Sequence, residues 1–134
     1  MKYWLLKTEP QTYSWSDLVR DKETVWDGVR NYQARNYLRE IKKNDKAFIY
    51  HSGGERLIIG IAIVVRGGYP EVENSDWVCI NLKPEKTLKS PVTLQRIKQE
   101  KSLENMKLVK SSRLSVQPVL QEEFETILEL STQI

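Results

Sequence analysis

The chain has 134 residues, of which 40% are hydrophobic and 29% are charged, and its formal net charge is +3. These values fit a single soluble domain over residues 1–134 and exclude an intrinsically disordered chain. The small positive charge permits a polyanionic partner, but a shaped site must supply much of any affinity for one.

The N-terminal third of the chain predicts one strand followed by two helices. Residues 2–9 are rich in β-forming side chains and stop at Pro10, a residue that the middle of a sheet excludes. The motif SWSD matches a capping box and predicts a short helix over about residues 15–20. Apolar side chains recur at helical spacing from Ala34 to Ile41, so they predict an amphipathic helix there.

The rest of the chain predicts four more strands and two more helices. The strands are expected at residues 47–52, 56–65, 76–85 and 112–119. Glycine pairs at 53–54 and 67–68 predict a turn and a loop, and Gly60 predicts a bulge. The helices are expected from about 91 to 99 and over 121–130. Because helices do not alternate with strands, this order favours an α+β fold, a small mixed-strand barrel with peripheral helices, over a doubly wound sheet.

Most enzyme and metal sites need residue sets that this sequence lacks. One histidine, His51, and one cysteine, Cys79, are too few for a zinc site or a disulfide framework. The sequence contains no nucleophile elbow, phosphate loop or dinucleotide-binding glycine motif. No apolar run reaches the roughly 18–20 residues of a membrane span, and the N-terminus does not resemble a signal peptide. We therefore expect a cytoplasmic protein, or a nuclear one in a eukaryote, that is not an enzyme and has no metal, cofactor or membrane partner.

Three polar clusters lie among aromatic residues and are candidate binding sites. They are Lys7–Pro10 at the end of the first strand, Trp26–Arg35 before and within the second helix, and Tyr50–Ser52 together with Ser111–Ser115. Each also has a structural interpretation. Asn31 is a preferred N-cap residue, and His51 lies where it can bond backbone groups before a turn. Arg113 can pair with a carboxylate such as Glu9 or Asp27. The residues alone leave both interpretations open.

Seven segments, taken together, resemble the EVE domain family. They are YWLLKTEP (3–10), YSWSDL (13–18), WDGVRNYQARNYLR (26–39), YHS (50–52), GIAIVV (60–65), YP (69–70) and SRLSVQPV (112–119). The segments occur in the family's order and span nearly the whole chain, and the third and seventh are the most specific. The resemblance implies a PUA-like fold, a small pseudo-barrel of mixed strands with peripheral helices, and kinship with YTH and ASCH domains. One small departure is Glu71 after the YP segment, where relatives commonly have Asp.

The resemblance also implies a nucleic-acid partner. It implies a reader module that holds a flipped, modified base, with methylated or hydroxymethylated cytosine as leading candidates, in an aromatic and polar pocket. In the related YTH readers of methylated adenine a tryptophan after the first helix forms a wall of the cage, and Trp26 stands at the corresponding position. The site predicted on this basis comprises Lys7, Glu9, Trp26, Asp27, Arg30, Asn31, Tyr32, Arg35, His51, Ser52, Arg113 and Ser115, with Arg39 as a further candidate for phosphate contact.

Two alternatives to a base reader stay open at this point. One is an RNA-binding accessory protein that acts on tRNA or rRNA by shape. The other is a small nucleotide-processing enzyme that uses His51, Ser52 and Glu9. The orientation of Trp26, toward the pocket or toward the core, is also open, as is the choice between DNA and RNA.

Overall fold

Six strands and five helices make up the fold. A computed structural model describes residues 1–133 of the chain. The strands are β1 (Tyr3–Thr8), β2 (Thr24–Trp26), β3 (Lys46–His51), β4 (Leu57–Pro70), β5 (Val78–Thr93) and β6 (Val116–Val119). The helices are α1 (Trp15–Asp21), α2 (Tyr32–Glu40), α3 (Leu94–Gln99), α4 (Lys107–Lys110) and α5 (Gln121–Thr132), with a 3-10 turn at Lys101–Leu103.

The strands form one mixed sheet in the order β2-β5-β4-β3-β1-β6. β1 and β3 are parallel, and every other neighbouring pair is antiparallel. The predicted α+β class, with mixed strands and peripheral helices, is therefore confirmed. β2 and β6 are the two edge strands, so the sheet leaves a gap between them.

Alternation along the strands divides the core between the two faces of the sheet. In β1, Trp4 and Leu6 belong to one apolar cluster and Leu5 to the other, because successive side chains of a strand point to opposite faces. The first cluster, called the inner cluster here, includes residues of α1 and α2. The second includes residues of α3, α4 and α5. Helices thus cover both faces of the sheet.

Helix α2 gives the sheet its barrel-like enclosure. It contacts β4 and β5 in one half of the sheet and the edge strand β6 in the other. Its buried residues, Ala34 and Leu38, insert into the inner cluster. The helix therefore covers the interior between the two halves of the sheet, on the same side as the gap between its edges.

The prediction of a loop at residues 67–68 was wrong, because β4 continues through both glycines to Pro70. Helix α2 ends directly against them. A Cβ atom added to Gly67 would lie 2.6 Å from the carbonyl oxygen of Ile41, closer than real Cβ contacts come. This glycine pair therefore permits a close approach between helix and strand and does not mark a turn.

The bulge predicted at Gly60 is confirmed. The pairing register of β4 shifts around this residue on both its neighbouring strands. The ring of Trp15 packs against Gly60 so closely that an added Cβ would lie 2.5 Å from it. The glycine is needed here because the first residue of α1 docks on the strand.

Other boundaries differ from the sequence prediction. β5 runs to Thr93, so the helix expected from about residue 91 begins only at Leu94, with Thr93 as its N-cap. The strand expected over 112–119 starts at Val116. β2 was not predicted at all, since three residues are too short to show an alternating pattern. Helix α4 and the 3-10 turn were also missed, because four and three residues are too few to show a helical period. Within residues 1–133, no helix is long and apolar enough to cross a membrane.

Candidate functional site

A cavity of about 780 Å³ opens between edge strand β2 and the end of β1. This volume lies within the range of about 300–1,000 Å³ that is typical of small-molecule sites. Six of the twelve predicted site residues line it: Lys7, Trp26, Asp27, Arg30, Asn31 and Ser115. The remaining lining residues are Thr8, Thr12, Tyr13, Thr24, Val25, Gly28 and Val29. The gap between the two sheet edges is thus the place where the predicted residues converge.

Trp26 contacts both the core and the cavity. It is the last residue of β2, is half-buried and packs against the inner cluster while also lining the cavity. The ring of Tyr13 meets it edge-on, with centroids 6.2 Å apart and planes at 84°. The Tyr13 hydroxyl donates to Asp21 at 2.8 Å, and burial raises the pKa of this tyrosine. Two fixed, neutral aromatic rings therefore form an apolar corner of the cavity.

Lys7 brings a cation to the cavity. Its Nζ donates to the carbonyl oxygen of Ser112 at 2.6 Å, and its backbone N–H donates to the carbonyl of Ser115. Burial lowers the pKa of Lys7 from its ordinary value. An ammonium group has three donors, so Nζ can still donate toward the cavity after bonding Ser112.

Asn31 serves as the N-cap of α2 and lines the cavity at the same time. Its Oδ1 accepts a hydrogen bond from the backbone N–H of Ala34 at 2.9 Å. No partner for its Nδ2 is found among the residues that the structure describes. The cap therefore uses the acceptor of the side-chain amide and does not use its donor.

Glu71 fixes the loop that joins β2 to α2. Its carboxylate accepts hydrogen bonds from both terminal nitrogens of Arg30, at 2.9 Å each, and from the backbone N–H of Gly28 at 3.0 Å. Gly28 has a φ of +77°, which favours glycine. The bond from Arg30 lowers the pKa of Glu71, whose side chain is only 16% exposed. Glu71 had no role in the site predicted from the sequence, and its place after the YP segment was the one signal for it.

A cluster of aromatic rings and arginines lies beside the cavity. Tyr32 stacks on Trp77, with centroids 5.3 Å apart and planes at 26°. The guanidinium of Arg35 lies 4.9 Å from the centre of the Tyr32 ring, and that of Arg30 lies 5.0 Å from the Trp77 ring. Sequence reasoning gave Trp77 no role, because its loop is distant from α2 along the chain.

His51 and Ser52 do not line the cavity. The ring of His51 is buried, with Nε2 accepting the backbone N–H of Trp15 at 3.0 Å and Nδ1 bonded to Glu55 at 2.8 Å. Ser52 donates its backbone N–H to the carbonyl of Thr8. This placement agrees with the structural interpretation, since His51 joins the start of α1 to the end of β3.

Glu9 and Arg113 also lie outside the cavity. Glu9 is exposed, and its carbonyl accepts the backbone N–H groups of Thr12 and Tyr13. Arg113 is exposed in a separate groove of about 270 Å³ that shares Asn31 with the cavity. In the part of the chain described, Arg113 forms no ion pair with Glu9 or with Asp27.

Between residues 1 and 133 no group of three or more His, Cys, Asp or Glu side chains is placed to hold a metal ion. The cavity instead combines two aromatic rings with hydrogen-bond donors from Lys7 and Asn31 and an acceptor from Asp27. This combination suits a flat, polar, aromatic ligand. The rings can stack on its face, and the polar groups can bond to its edge.

Comparisons with known proteins identify the family of this chain. The family model described as EVE domain matches residues 2–130. Thymocyte nuclear protein 1 of Gallus gallus is 35% identical, over 96% of this chain and 68% of that protein. A solved structure from Rhodopseudomonas palustris is 40% identical with a TM-score of 0.93, covering 98% of this chain and 93% of that one.

Two further structures are similar to this chain. The human THYN1 protein, solved in complex with 5-methylcytosine-containing DNA, is 32% identical with a TM-score of 0.94, covering 100% of this chain and 99% of that one. An ASCH protein from Zymomonas mobilis is 15% identical with a TM-score of 0.64, over 98% of this chain and 97% of that one, and shares the fold. The extent of the family match and the identity to these relatives show that the chain belongs to the EVE domain family.

Proposed function

We propose that this chain is a nucleic-acid-binding EVE domain that holds one modified base in the cavity beside Trp26. The observation that carries the proposal is the placement of a half-buried tryptophan in the wall of a polar cavity, at the gap between the sheet edges. The human THYN1 protein, which is 32% identical and was solved with 5-methylcytosine-containing DNA, supports a nucleic-acid ligand of the same kind.

A base that leaves a duplex to enter this cavity loses stacking and pairing worth a few kcal/mol. Stacking on one aromatic ring returns roughly 1–3 kcal/mol. Trp26 alone therefore about balances the loss, and hydrogen bonds within the cavity must supply the rest. Each neutral bond adds about 0.5–1.5 kcal/mol, and each bond to a charged group about 1.5–3 kcal/mol.

The polar groups of the cavity match the edge of cytosine. Cytosine presents acceptors at O2 and N3 and a donor at its 4-amino group. Lys7 Nζ and Asn31 Nδ2 are donors, and the Asp27 carboxylate is an acceptor of the kind that pairs with the cytosine amino group. Three such bonds, two of them to charged groups, make extrusion of the base favourable.

Discrimination of a methyl group is expected to be modest. Burying one carbon contributes about 0.8 kcal/mol, which is a factor of about four in affinity. Close fit against Val25 or Val29 raises this factor, but one methylene in an apolar pocket is worth at most about 10–200-fold. A larger polar modification can be distinguished more strongly, because it can gain or lose a hydrogen bond.

A binding role is proposed in preference to a catalytic one. The enzymatic alternative relied on His51, Ser52 and Glu9, none of which lines the cavity, and both ring nitrogens of His51 already have protein partners. Incubation of the protein with modified nucleosides and nucleotides should give no product. Multiple turnovers of any of these compounds, with more product formed than protein present, would favour the enzyme.

The test compares oligonucleotides that differ at one cytosine only, which is unmodified, 5-methylated or 5-hydroxymethylated, as DNA and as RNA. Fluorescence anisotropy measures the affinity of the native protein, Trp26→Phe and Trp26→Leu. Phenylalanine keeps a stacking ring, whereas leucine keeps apolar contact with the core but cannot stack. We expect Trp26→Leu to lose about five- to 100-fold in affinity and Trp26→Phe to lose much less.

Thermal unfolding of each variant separates loss of binding from loss of folding. Leu120→Ala, an exposed apolar truncation at the start of α5, is the matched control and should bind normally. Equal affinity of the native protein for all three cytosines would contradict a reader. Unchanged affinities in a folded Trp26→Leu variant would contradict the place assigned to the base.

A further inference from the structure

Tyr32 is the most exposed aromatic side chain in the described part of the chain, at 65% exposure. Its ring nevertheless has a defined orientation, because one face stacks on half-buried Trp77 with planes at 26°. Tyr32 directly follows Asn31, which lines the cavity. Arg30, which also lines the cavity, lies over Trp77, so the exposed and oriented Tyr32 ring stands beside the cavity. Tyr32 and Trp77 together are called the platform here.

The charges around the platform favour an anionic partner. Arg30 lies over Trp77 but is neutralised by Glu71. Arg35 lies over the platform, and within residues 1–133 the hydrogen bonds of its guanidinium go to the uncharged Asn36. Across residues 1–133, Arg35 has no carboxylate within salt-bridge distance.

A second cation extends the same face of α2. Tyr32, Arg35 and Arg39 occupy positions i, i+3 and i+7 of the helix, so they share one side of it. Arg39 Nη2 donates to the backbone carbonyl of Asp76 at 3.3 Å and has no carboxylate partner among the residues described. The stripe from Tyr32 to Arg39 is about 10 Å long at 1.5 Å per residue.

A purely structural role does not account for this arrangement. Packing of the loop that carries Trp77 on α2 needs only one face of the Tyr32 ring, and at 65% exposure much of this residue remains accessible to solvent. Cation–π contact of Arg35 with the two rings stabilises the pair by about 0.5–1 kcal/mol, but within the described residues it leaves the guanidinium charge without a carboxylate. Aromatic rings with arginines that track a backbone are the usual components of surfaces that bind single-stranded nucleic acid.

We propose that the platform binds the nucleotide next to the base held in the cavity, with the neighbouring base stacked on Tyr32 and the adjoining phosphates at Arg35 and Arg39. This inference rests on the proposed function. It makes the footprint at least two nucleotides and leaves the second one unspecific in sequence, because every base has a face that can stack.

The test uses oligonucleotides with one 5-methylcytosine and an abasic site at its 5′ or its 3′ neighbour. In the native protein, an abasic site on one side weakens binding about five- to tenfold, and on the other side much less. In Tyr32→Leu, which keeps apolar cover over Trp77, the intact oligonucleotide binds about five- to tenfold more weakly and the abasic site has no further effect. Tyr32→Phe retains the native pattern. This double-mutant cycle measures contact between the ring and the base.

The phosphate contact is tested by salt dependence. Arg35→Gln should lower the slope of log affinity against log salt by about one. Arg96→Gln, on α3 at the opposite face of the sheet, removes the same charge and should leave the slope unchanged. An unchanged slope in Arg35→Gln, or an equal abasic effect in native protein and Tyr32→Leu, would overturn the platform.

Failure of the platform and failure of the proposed function are distinguishable. If the protein prefers the modified cytosine but neither abasic neighbour weakens binding, the platform is wrong and the base reader stands. If no oligonucleotide binds, both are wrong. A neighbour effect that disappears in Tyr32→Leu and persists in Tyr32→Phe supports the platform.

Discussion

The double role of Asn31 gives the most specific prediction. Its Oδ1 caps α2 by accepting the N–H of Ala34, and its Nδ2, which has no partner among the described residues, is the donor that the proposed function assigns to the base. Asp and Ser also cap helices well, but neither carries the amide donor. Asn31→Asp and Asn31→Ser should therefore keep the cap and lose the amide donor, which the shorter serine hydroxyl does not replace at the same position, whereas Asn31→Ala loses both the cap and the donor.

The cap sets the expected effect on stability. Replacing an N-cap residue by alanine costs about 1 kcal/mol, which for a domain of this size lowers Tm by about 3–5 °C. Asn31→Asp and Asn31→Ser should unfold within about 1–2 °C of the native protein, because their side-chain oxygens accept the same N–H. Calorimetry or thermal circular dichroism measures this difference directly.

The donor sets the expected effect on binding. One lost hydrogen bond weakens affinity for the modified oligonucleotide by about two- to tenfold. Asn31→Ser gives this loss alone, and Asn31→Asp adds repulsion of the phosphates, which grows at low salt. Anisotropy titrations at two salt concentrations separate the two contributions.

Either of two results would refute the double role of Asn31. Native affinity in Asn31→Ser and Asn31→Asp would show that the amide donor does not meet the ligand. A native Tm in Asn31→Ala would show that the cap contributes nothing to α2. The expected pattern is two stable variants that bind weakly and one unstable variant that also binds weakly.

Three further predictions follow from the packing and charges of the site. Gly67→Ala should lower the free energy of unfolding by about 1–3 kcal/mol, because the added methyl meets the end of α2; Gly54→Ala, with nothing within 4 Å, should have no such effect in denaturant titrations. Glu71→Gln should release the cavity loop and weaken binding. Because Arg30 lowers the pKa of Glu71, the stability that this carboxylate adds is present above the ordinary glutamate pKa of about 4.3 and is lost as pH falls through the lowered value. The free energy of unfolding of the native protein should therefore exceed that of Glu71→Gln by less in acid than at neutral pH. An excess that stays constant with pH would argue against the ion pair. Lys7→Met should weaken oligonucleotide binding about ten- to 100-fold, because a charged hydrogen-bond donor leaves the cavity, and thermal unfolding checks that the variant folds; native affinity would remove Lys7 from the site.

Local signals predicted the parts of the fold that local interactions determine. The capping box before α1 is present, with Ser14 and Asp17 each bonding the other's backbone N–H. Asn31 caps α2 as its residue type predicts. The structural role of the glycines was harder to predict, because a glycine can indicate either a turn or a close approach between two backbone segments. Only the position of Ile41 against Gly67 decides between the two.

The cavity was less predictable because it lies where distant segments meet. Lys7, Trp26 and Ser115 come together only when the two edges of the sheet approach each other. The polar clusters in the sequence already contained the six predicted residues that line the cavity, and the family resemblance assigned them to one site. Glu71 and Trp77 were missed because they reach the cavity loop and α2 from more than 40 residues away.

The NMR signals of the four tryptophan indole N–H groups test the central claim most directly. Trp4 and Trp15 are buried and donate to Asp45 and Thr87 at 2.9 Å, so they are internal controls. On titration with a 5-methylcytosine oligonucleotide, the Trp26 signal, assigned from Trp26→Phe, should shift while those of Trp4 and Trp15 stay in place. Saturable binding with an unmoved Trp26 signal would contradict a base in the cavity.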